Sequence, residues 1–407
     1  MPSRDALHGR AYSSREVRAD INYDEYLAMD DNVSVCGILS DGEIIEEVGN
    51  KQESSGEEEN TDIQTEDPIP SVAESIKMME NTRRFTESQP VVKDDVFNAI
   101  SEIEDFVNCG PISVSVFAED QEVNDALRSI ATLRNCYSTV RVNVSFHLVS
   151  PLSAGGRGGL YSAPPASLFR CDLAFTSGLQ RRNYVGGKHF PNNLLRNVAR
   201  KTSTAELVLV IDIDMLPSAN LRQDFFNYAT KNRLFGEALR DDKTVWVVPA
   251  FEVRETVAPP RTKNELLKLM DKGDLRPFYI ELCWKCQVHT DYDTWQKEPP
   301  SPGISPLFEV LWKDPWEPFY IARNSVPFYD ERFKQYGFNR ISQVCELHVA
   351  GYKFSVLNNA FLVHKGLKTA GSFHSDKDLD QERNRVLFRH FKLELREKYP
   401  ESSRRCY

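Results

Sequence analysis

Two carboxylates one residue apart, Asp212 and Asp214, close the apolar run "ELVLVIDIDMLPS" at residues 206–218. Alternate side chains of a strand share a face, so Val208, Val210, Asp212 and Asp214 point one way and Leu209, Ile211, Ile213 and Met215 the other. Like charges so placed repel and raise one pKa unless a cation or a set of donors compensates them. A divalent ion does this most directly. Pro217 lacks a backbone donor and stops the ladder, which puts the acids at a strand-to-loop exit, where open α/β sheets hold ligands. Two solvated acids at a strand end would give the same tripeptide, so a second element has to decide. It comes in "FLVHKGLK" at 361–368, where a histidine follows another apolar strand. His364 offers a nitrogen, and Asp214 with Asp212 offers hard oxygens, a mixed set compatible with Mn²⁺. Gly366 lets backbone approach a phosphate, and Lys365 or Lys368 can neutralise it.

Other carboxylate and phosphate motifs fit less well. A haloacid-dehalogenase type of phosphatase expects Thr or Val two residues past the second Asp, early in the chain; here Leu216 stands there, after 200 residues. A P-loop or a dinucleotide fingerprint needs glycines between a first strand and its helix, and "FAEDQEVND" has none.

The elements that must position these groups alternate. "ISVSVFA" (112–118) reads as a buried strand, "EVNDALRSIATLRNC" (122–136) as a helix and "VRVNVSFHLV" (140–149) as a strand. "PNNLLRNVARKTST" (191–204) opens with Pro, suited to a first helical turn, and leads into the carboxylate strand. "LRQDFFNYATKNRLFGEAL" (221–239) follows as a helix and "TVWVVPAFEV" (244–253) as a strand. Repeated βα units predict an α/β fold with a mainly parallel sheet flanked by helices. Beyond residue 290 the chain is crowded with Pro, Trp and Phe, which predicts aromatic-lined loops and short strands; such rings suit sugar faces and cores alike. Two last helices, 340–352 and 379–399, flank the strand "KFSVLNNAFLVHKG".

The net charge of −10 is unevenly spread: residues 1–90 carry 21 acidic against 8 basic side chains, which leaves 39 against 42 for the rest. The acidic segment is poor in aromatic residues and cannot bury enough apolar area to offset its ordering entropy, so residues 1–88 are expected to be disordered and stem-like. The apolar patch "VSVCGIL" (33–39) is expected to form no more than transient pairing. There is no run of 18 apolar residues and no basic region followed by an apolar one at the N-terminus, so neither span nor signal peptide is visible. Eight cysteines in 407 residues do not suggest a disulfide-built scaffold. "CWKC" (Cys283, Cys286) has knuckle spacing without a second pair, which favours packing or one disulfide over zinc. Asn32 and Asn143 stand in N-x-S sequons.

Early βα cycles, a mid-chain Asp-x-Asp and a late His-x-Gly-x-Lys form the layout of a GT-A glycosyltransferase. The segments "PNNLLRNVAR", "LVLVIDIDMLPS", "PFYIELCWKCQVHTDYDTW" and the long motif from "PWEPFYIARNSVPFYDERF" to "FLVHKGLK" sharpen this. Over roughly residues 95–400 the chain resembles glycosyltransferase family 49, nearer its β-1,4-glucuronyltransferase branch than its LARGE branch. The resemblance implies a GT-A catalytic domain over 89–407 and a metal site at Asp212, Asp214 and His364. It also implies UDP-glucuronate as donor and a xylose-terminated glycan of the O-mannosyl, dystroglycan type as acceptor. Nucleic acid is not an expected partner. The relatives are type II Golgi membrane proteins, so Golgi residence is implied, with membrane association through an anchor this chain does not display.

Transfer from an α-linked donor to a β-linked product inverts the anomeric centre and requires a general base. The candidates are Asp330 and Glu331 in "YDERF" and Glu317 in "PWEPF", with Asp330 favoured, although such acids often pair with a neighbour such as Arg332. Arg196, Arg200 and Arg340 are candidates for the donor's carboxylate or diphosphate, with Asp212, Gly366 and Lys368 completing the donor site. Another UDP-sugar, such as UDP-xylose or UDP-N-acetylglucosamine, or a non-catalytic glycan-binding scaffold, are the alternatives.

Overall fold

The computed structural model describes residues 33–37, 110–119, 122–151, 189–236, 242–369 and 377–406. In chain order the elements are β1 (Val33–Gly37), β2 (Ile112–Phe117), α1 (Val123–Cys136), α2 (Ser138–Asn143), β3 (Val144–Pro151), α3 (Asn192–Lys201), β4 (Leu207–Leu209), β5 (Met215–Pro217) and α4 (Leu221–Lys231). There follow β6 (Thr244–Val248), β7 (Ala250–Val253), α5 (Lys263–Asp271), β8 (Leu275–Pro277), α6 (Ile280–Gln287), α7 (Tyr292–Lys297), β9 (Ser305–Val310), β10 (Phe319–Arg323), α8 (Asn339–Val349), β11 (Lys353–Asn358), β12 (Leu362–Lys365) and α9 (Lys377–Lys398).

Three sheets form, in the orders β1-β3-β2, β4-β10-β6-β11-β9 and β5-β12-β7-β8. The expected mainly parallel sheet is corrected to mixed ones. β2 runs parallel to β3, β6 to β11 and β7 to β12, but β10 enters antiparallel between β4 and β6, and β9 and β8 add antiparallel edges. The intruding strands come from the stretch after residue 270, where βα alternation has lapsed.

Two stretches expected as single strands each divide between sheets. Pro249 has no N–H to give a ladder and separates β6 from β7. Asn359, at a positive φ of 60°, separates β11 from β12 at the same level. The parallel pair β6 and β11 in the larger sheet thus continues as β7 and β12 in the smaller one. The run opened at Leu207 divides in the same way: β4 ends at Leu209, residues 210–214 cross over, and β5 pairs with β12, Met215 opposite His364. Residues 140–143, expected in a strand, are instead the last turn of α2, and α4 ends at Lys231, short of the expected helix. The patch Val33–Gly37 is a correction of another kind. It forms an antiparallel edge strand on β3, while the rest of residues 1–88 lies outside the described residues.

Both faces of the larger sheet are covered. Val245 and Val247 belong to one apolar core with Phe251, Trp295, Trp316 and Phe354, while Trp246 and Val248 belong to another with Phe225, Phe319 and Ile321. Trp295, Trp312 and Trp316 are at most 3% exposed, and each indole N–H donates inside the protein, to Leu357 O, Trp316 O and Thr290 Oγ1. The tryptophans of the aromatic-rich stretch are therefore core here.

The disulfides with both ends among the described residues are Cys283–Cys286 and Cys345–Cys406, so the knuckle spacing of "CWKC" serves a disulfide. The second closes a separation of 61 residues and ties α8 to the C-terminal tail; chain entropy makes such a bridge worth about 4 kcal/mol. The first closes only 3 positions and contributes at most about 2 kcal/mol on the same argument, so its effect is chiefly local. Among the described residues no helix is long and apolar enough to cross a membrane.

Candidate active site

The crossing between β4 and β5 holds the carboxylates. Met215 N–H donates to Asp212 O (3.1 Å), which turns the chain tightly and leaves Asp212 and Asp214 outside any strand, with 48% and 49% of their side chains exposed. The two acids therefore do not share a strand face. Each is compensated separately.

Asp212 is clasped by two guanidinium groups, Arg196 Nη2 on Oδ1 (3.1 Å) and Arg340 Nη2 on Oδ2 (2.8 Å). Burial by itself would raise its pKa, but Arg196 and Arg340 together hold it well below the usual carboxylate range. Asp214 faces the other way. Its Oδ2 lies 3.1 Å from His364 Nε2 and 3.3 Å from Lys368 Nζ. Against a raising effect of burial and of Asp212, the His364 hydrogen bond and the Lys368 charge lower the Asp214 pKa. His364 Nδ1 stands 2.7 Å from Gly366 O, and only the ring nitrogen can be the donor there. That fixes the proton on Nδ1 and directs Nε2 to Asp214. Gly366 adopts φ +89°, and a Cβ there would meet Glu255 Oε2 at 2.7 Å, so only glycine turns the chain between His364 and Lys368. The structure thus brings Asp214, His364, Gly366 and Lys368 together, whereas Asp212 binds the arginine pair. Among the described residues no group of three or more His, Cys, Asp or Glu is placed to hold a metal ion.

The arginine pair rests on an unusual helix face. Asn193, Arg196, Asn197 and Arg200 recur at helical spacing along α3, and all are at most 8% exposed. Asn193 Nδ2 donates to Asp330 O and Asn339 O, and Asn197 Nδ2 to Tyr329 O and Glu331 Oε1. Arg200 donates to the carbonyls of Asn324, Val326 and Pro327 (2.8–3.0 Å), which commits it to holding that loop and removes it from the donor-site candidates.

The base candidates separate clearly. Asp330 is gripped by Arg332 (2.6 Å), which also binds Glu394 (2.5 Å). Glu331 accepts from Asn197 and lies 3.9 Å from Lys201. Both acids are spent on structure. Glu317, half-buried, lies in the field of Arg340, Arg196 and Asp212; burial pushes its pKa up to about 7, outweighing the two arginines. The ionisations of Tyr279 and Tyr336 also feel Glu317, so the two phenols border the same space. Its backbone N–H donates to Cys286 O (3.0 Å).

Sequence reasoning missed Glu252. It is fully buried on β7, opposite His364 in the parallel register, and binds Arg276 Nε (2.5 Å), Lys368 N (3.2 Å) and Tyr279 N (3.5 Å). One carboxylate so holds the Lys368 loop and the start of α6 together. A lone acid inside the apolar run "WVVPAFEV" was the available signal.

A profile of the family described as "Glycosyl-transferase for dystroglycan" matches residues 95–400. The chain belongs to this glycosyltransferase family. Over 318 residues it is 45% identical to beta-1,4-glucuronyltransferase 1 of Danio rerio, a match covering 73% of this chain and 70% of the relative. The Homo sapiens protein of that name is 44% identical over 306 residues, 73% of this chain and 72% of the relative. Xylosyl- and glucuronyltransferase LARGE1 of Mus musculus is 29% identical over 289 residues, 71% of this chain but 32% of that longer protein. The range shared with the family holds Arg196, Asp212, Asp214, Glu317, Arg340 and His364, while residues 1–94 precede it.

Proposed function

We propose that this family member transfers glucuronic acid from UDP-glucuronate to a xylose-terminated glycan, forming a β-1,4 linkage with inversion at a site of GT-A type. The names of the relatives at 44–45% identity support the glucuronyl donor. The observation that carries the reading is that His364 Nε2 and Lys368 Nζ both lie within 3.3 Å of Asp214 Oδ2. A hard oxygen and an imidazole nitrogen whose other nitrogen is already fixed by a carbonyl suit Mn²⁺, so the residues present fit a divalent ion held by Asp214 and His364. Such an ion would supply charge neutralisation for the departing diphosphate.

The remaining roles fall to the chain's own groups. Lys368 meets diphosphate charge from the side of Asp214. Arg196 and Arg340 hold Asp212 in one orientation and keep the floor of the site electropositive. The Glu317 carboxylate takes the proton of the acceptor hydroxyl as the new glycosidic bond forms, and its raised pKa suits that work near neutrality. The base favoured from sequence, Asp330, is replaced in this reading because Arg332 holds it.

Transfer assays with UDP-glucuronate, UDP-xylose and UDP-N-acetylglucosamine on a β-xyloside, with and without excess chelator, test the proposal. Glucuronate alone should be transferred, and chelator should abolish the reaction. Transfer of a different sugar would overturn the donor assignment, and full activity in chelator the metal assignment.

A further inference from the structure

A cavity of about 710 Å³ opens at the opposite end of α8 from the arginine pair. Arg340 stands in the first turn of α8, while Glu346 in its last turn and the C-cap Ala350 line the cavity, roughly 9 and 15 Å further along the helix axis at 1.5 Å per residue. The other walls come from Lys243, from the 325–332 loop, from Tyr352 and from the C-terminal half of α9.

Charged groups in these walls already have partners, and Lys243 Nζ donates to Ala350 O (2.8 Å). Arg332 binds Asp330 and Glu394, and Lys398 Nζ reaches Glu346 Oε1 (2.8 Å), which also accepts the Tyr399 hydroxyl (2.8 Å). Glu346 is 3% exposed, so its carboxylate is held in place by the fold. A charged ligand would compete with these partners for its own contact. A neutral ligand rich in hydroxyls can hydrogen-bond to them as they stand. Ring surface completes the lining: Phe328 is 44% exposed, although Arg200 lies 4.6 Å from its centroid, and Tyr352 and Tyr399 are half-buried. Fixed polar groups beside aromatic surface match the two sides of a pyranose, its hydroxyl rim and its C–H face.

We propose that this cavity is a second carbohydrate site, binding a neutral oligosaccharide of two or three rings apart from the transfer site. The volume lies within the range of small-ligand pockets. The proposal concerns binding and is independent of the donor specificity argued above.

Saturation-transfer NMR and titration of the full chain with xylotriose and cellotriose, without nucleotide, test it. Phe328→Ala removes exposed ring surface, and Ser325→Trp fills the cavity from a solvent-exposed position. Wild type should bind, Phe328→Ala should bind about two- to tenfold more weakly, the loss expected for one stacking contact, and Ser325→Trp should bind more weakly by occupying the space, both at an unchanged melting temperature. If one variant fails to fold, the other carries the comparison. Absence of binding by wild type, or wild-type affinity in a folded variant, would overturn the site. No transfer is read, so failure of the glucuronyl assignment would leave this result standing.

Discussion

At the scale of single residues, the environment sets how three carboxylates differ. Asp330, Glu331 and Glu317 are equivalent as letters, yet Arg332 and Asn197 occupy the first two while burial lifts the third to about 7. A base works only when unprotonated. Below pH 7 Glu317 carries a proton, so kcat/KM should rise about tenfold per pH unit up to about pH 7 and level off above it. Glu317→Gln should lower turnover by about 10²- to 10⁴-fold and flatten that limb, with donor affinity near wild type. Asp330→Asn should keep the profile of wild type. A pH limb that survives in Glu317→Gln but vanishes in Asp330→Asn would return the role to Asp330.

At the scale of elements, α6 links the disulfide to the site. Its helical path breaks at Cys283 (φ −149°, ψ 72°), Cys283 is bonded to Cys286, and Cys286 O receives the Glu317 N–H. Because the bridge closes so short a loop, its removal touches the local backbone more than global stability. The double variant Cys283→Ser, Cys286→Ser should therefore melt within a few degrees of wild type yet turn over several-fold more slowly. Paired calorimetry and rate measurements check this; an unchanged rate at unchanged stability would show that the bridge does not hold Glu317. The same reasoning makes Glu252 a positioning element, since one buried acid joins β7 to the Lys368 loop and to Tyr279.

At the scale of the whole molecule, the acidic segment and the catalytic range are separable in charge and in the residues they contribute. The described part of residues 1–88 is β1, an edge strand on β3, while the carboxylates, arginines and His364 lie on α3, the β4–β5 crossing, β12 and the loops around them. A chain beginning at Pro90 should fold and transfer glucuronate at an unchanged rate, because the 318 residues left can bury a core of their own. Loss of rate in a folded short chain would show that the segment reaches the site. The pieces of the candidate site are legible in the sequence by itself. An acid pair after an apolar run and a His-x-Gly-x-Lys after another are local patterns, and Gly366 does sit where only glycine fits. Local periodicity also located α1, α3, α8 and α9, because their spacing is written in neighbouring letters. What it misread was set by distant partners. The spacing of Asn193, Arg196, Asn197 and Arg200 suits a solvated face equally well, and only the 324–339 segment packed across it makes it a buried polar one. Whether Asp212 faces a metal or a guanidinium pair, and which acid is left unpaired to take a proton, depends on Arg340 and Arg332, more than 100 residues away from Asp212 in the chain. Electrostatic partners at that separation leave no local periodicity, so tertiary structure alone decides them.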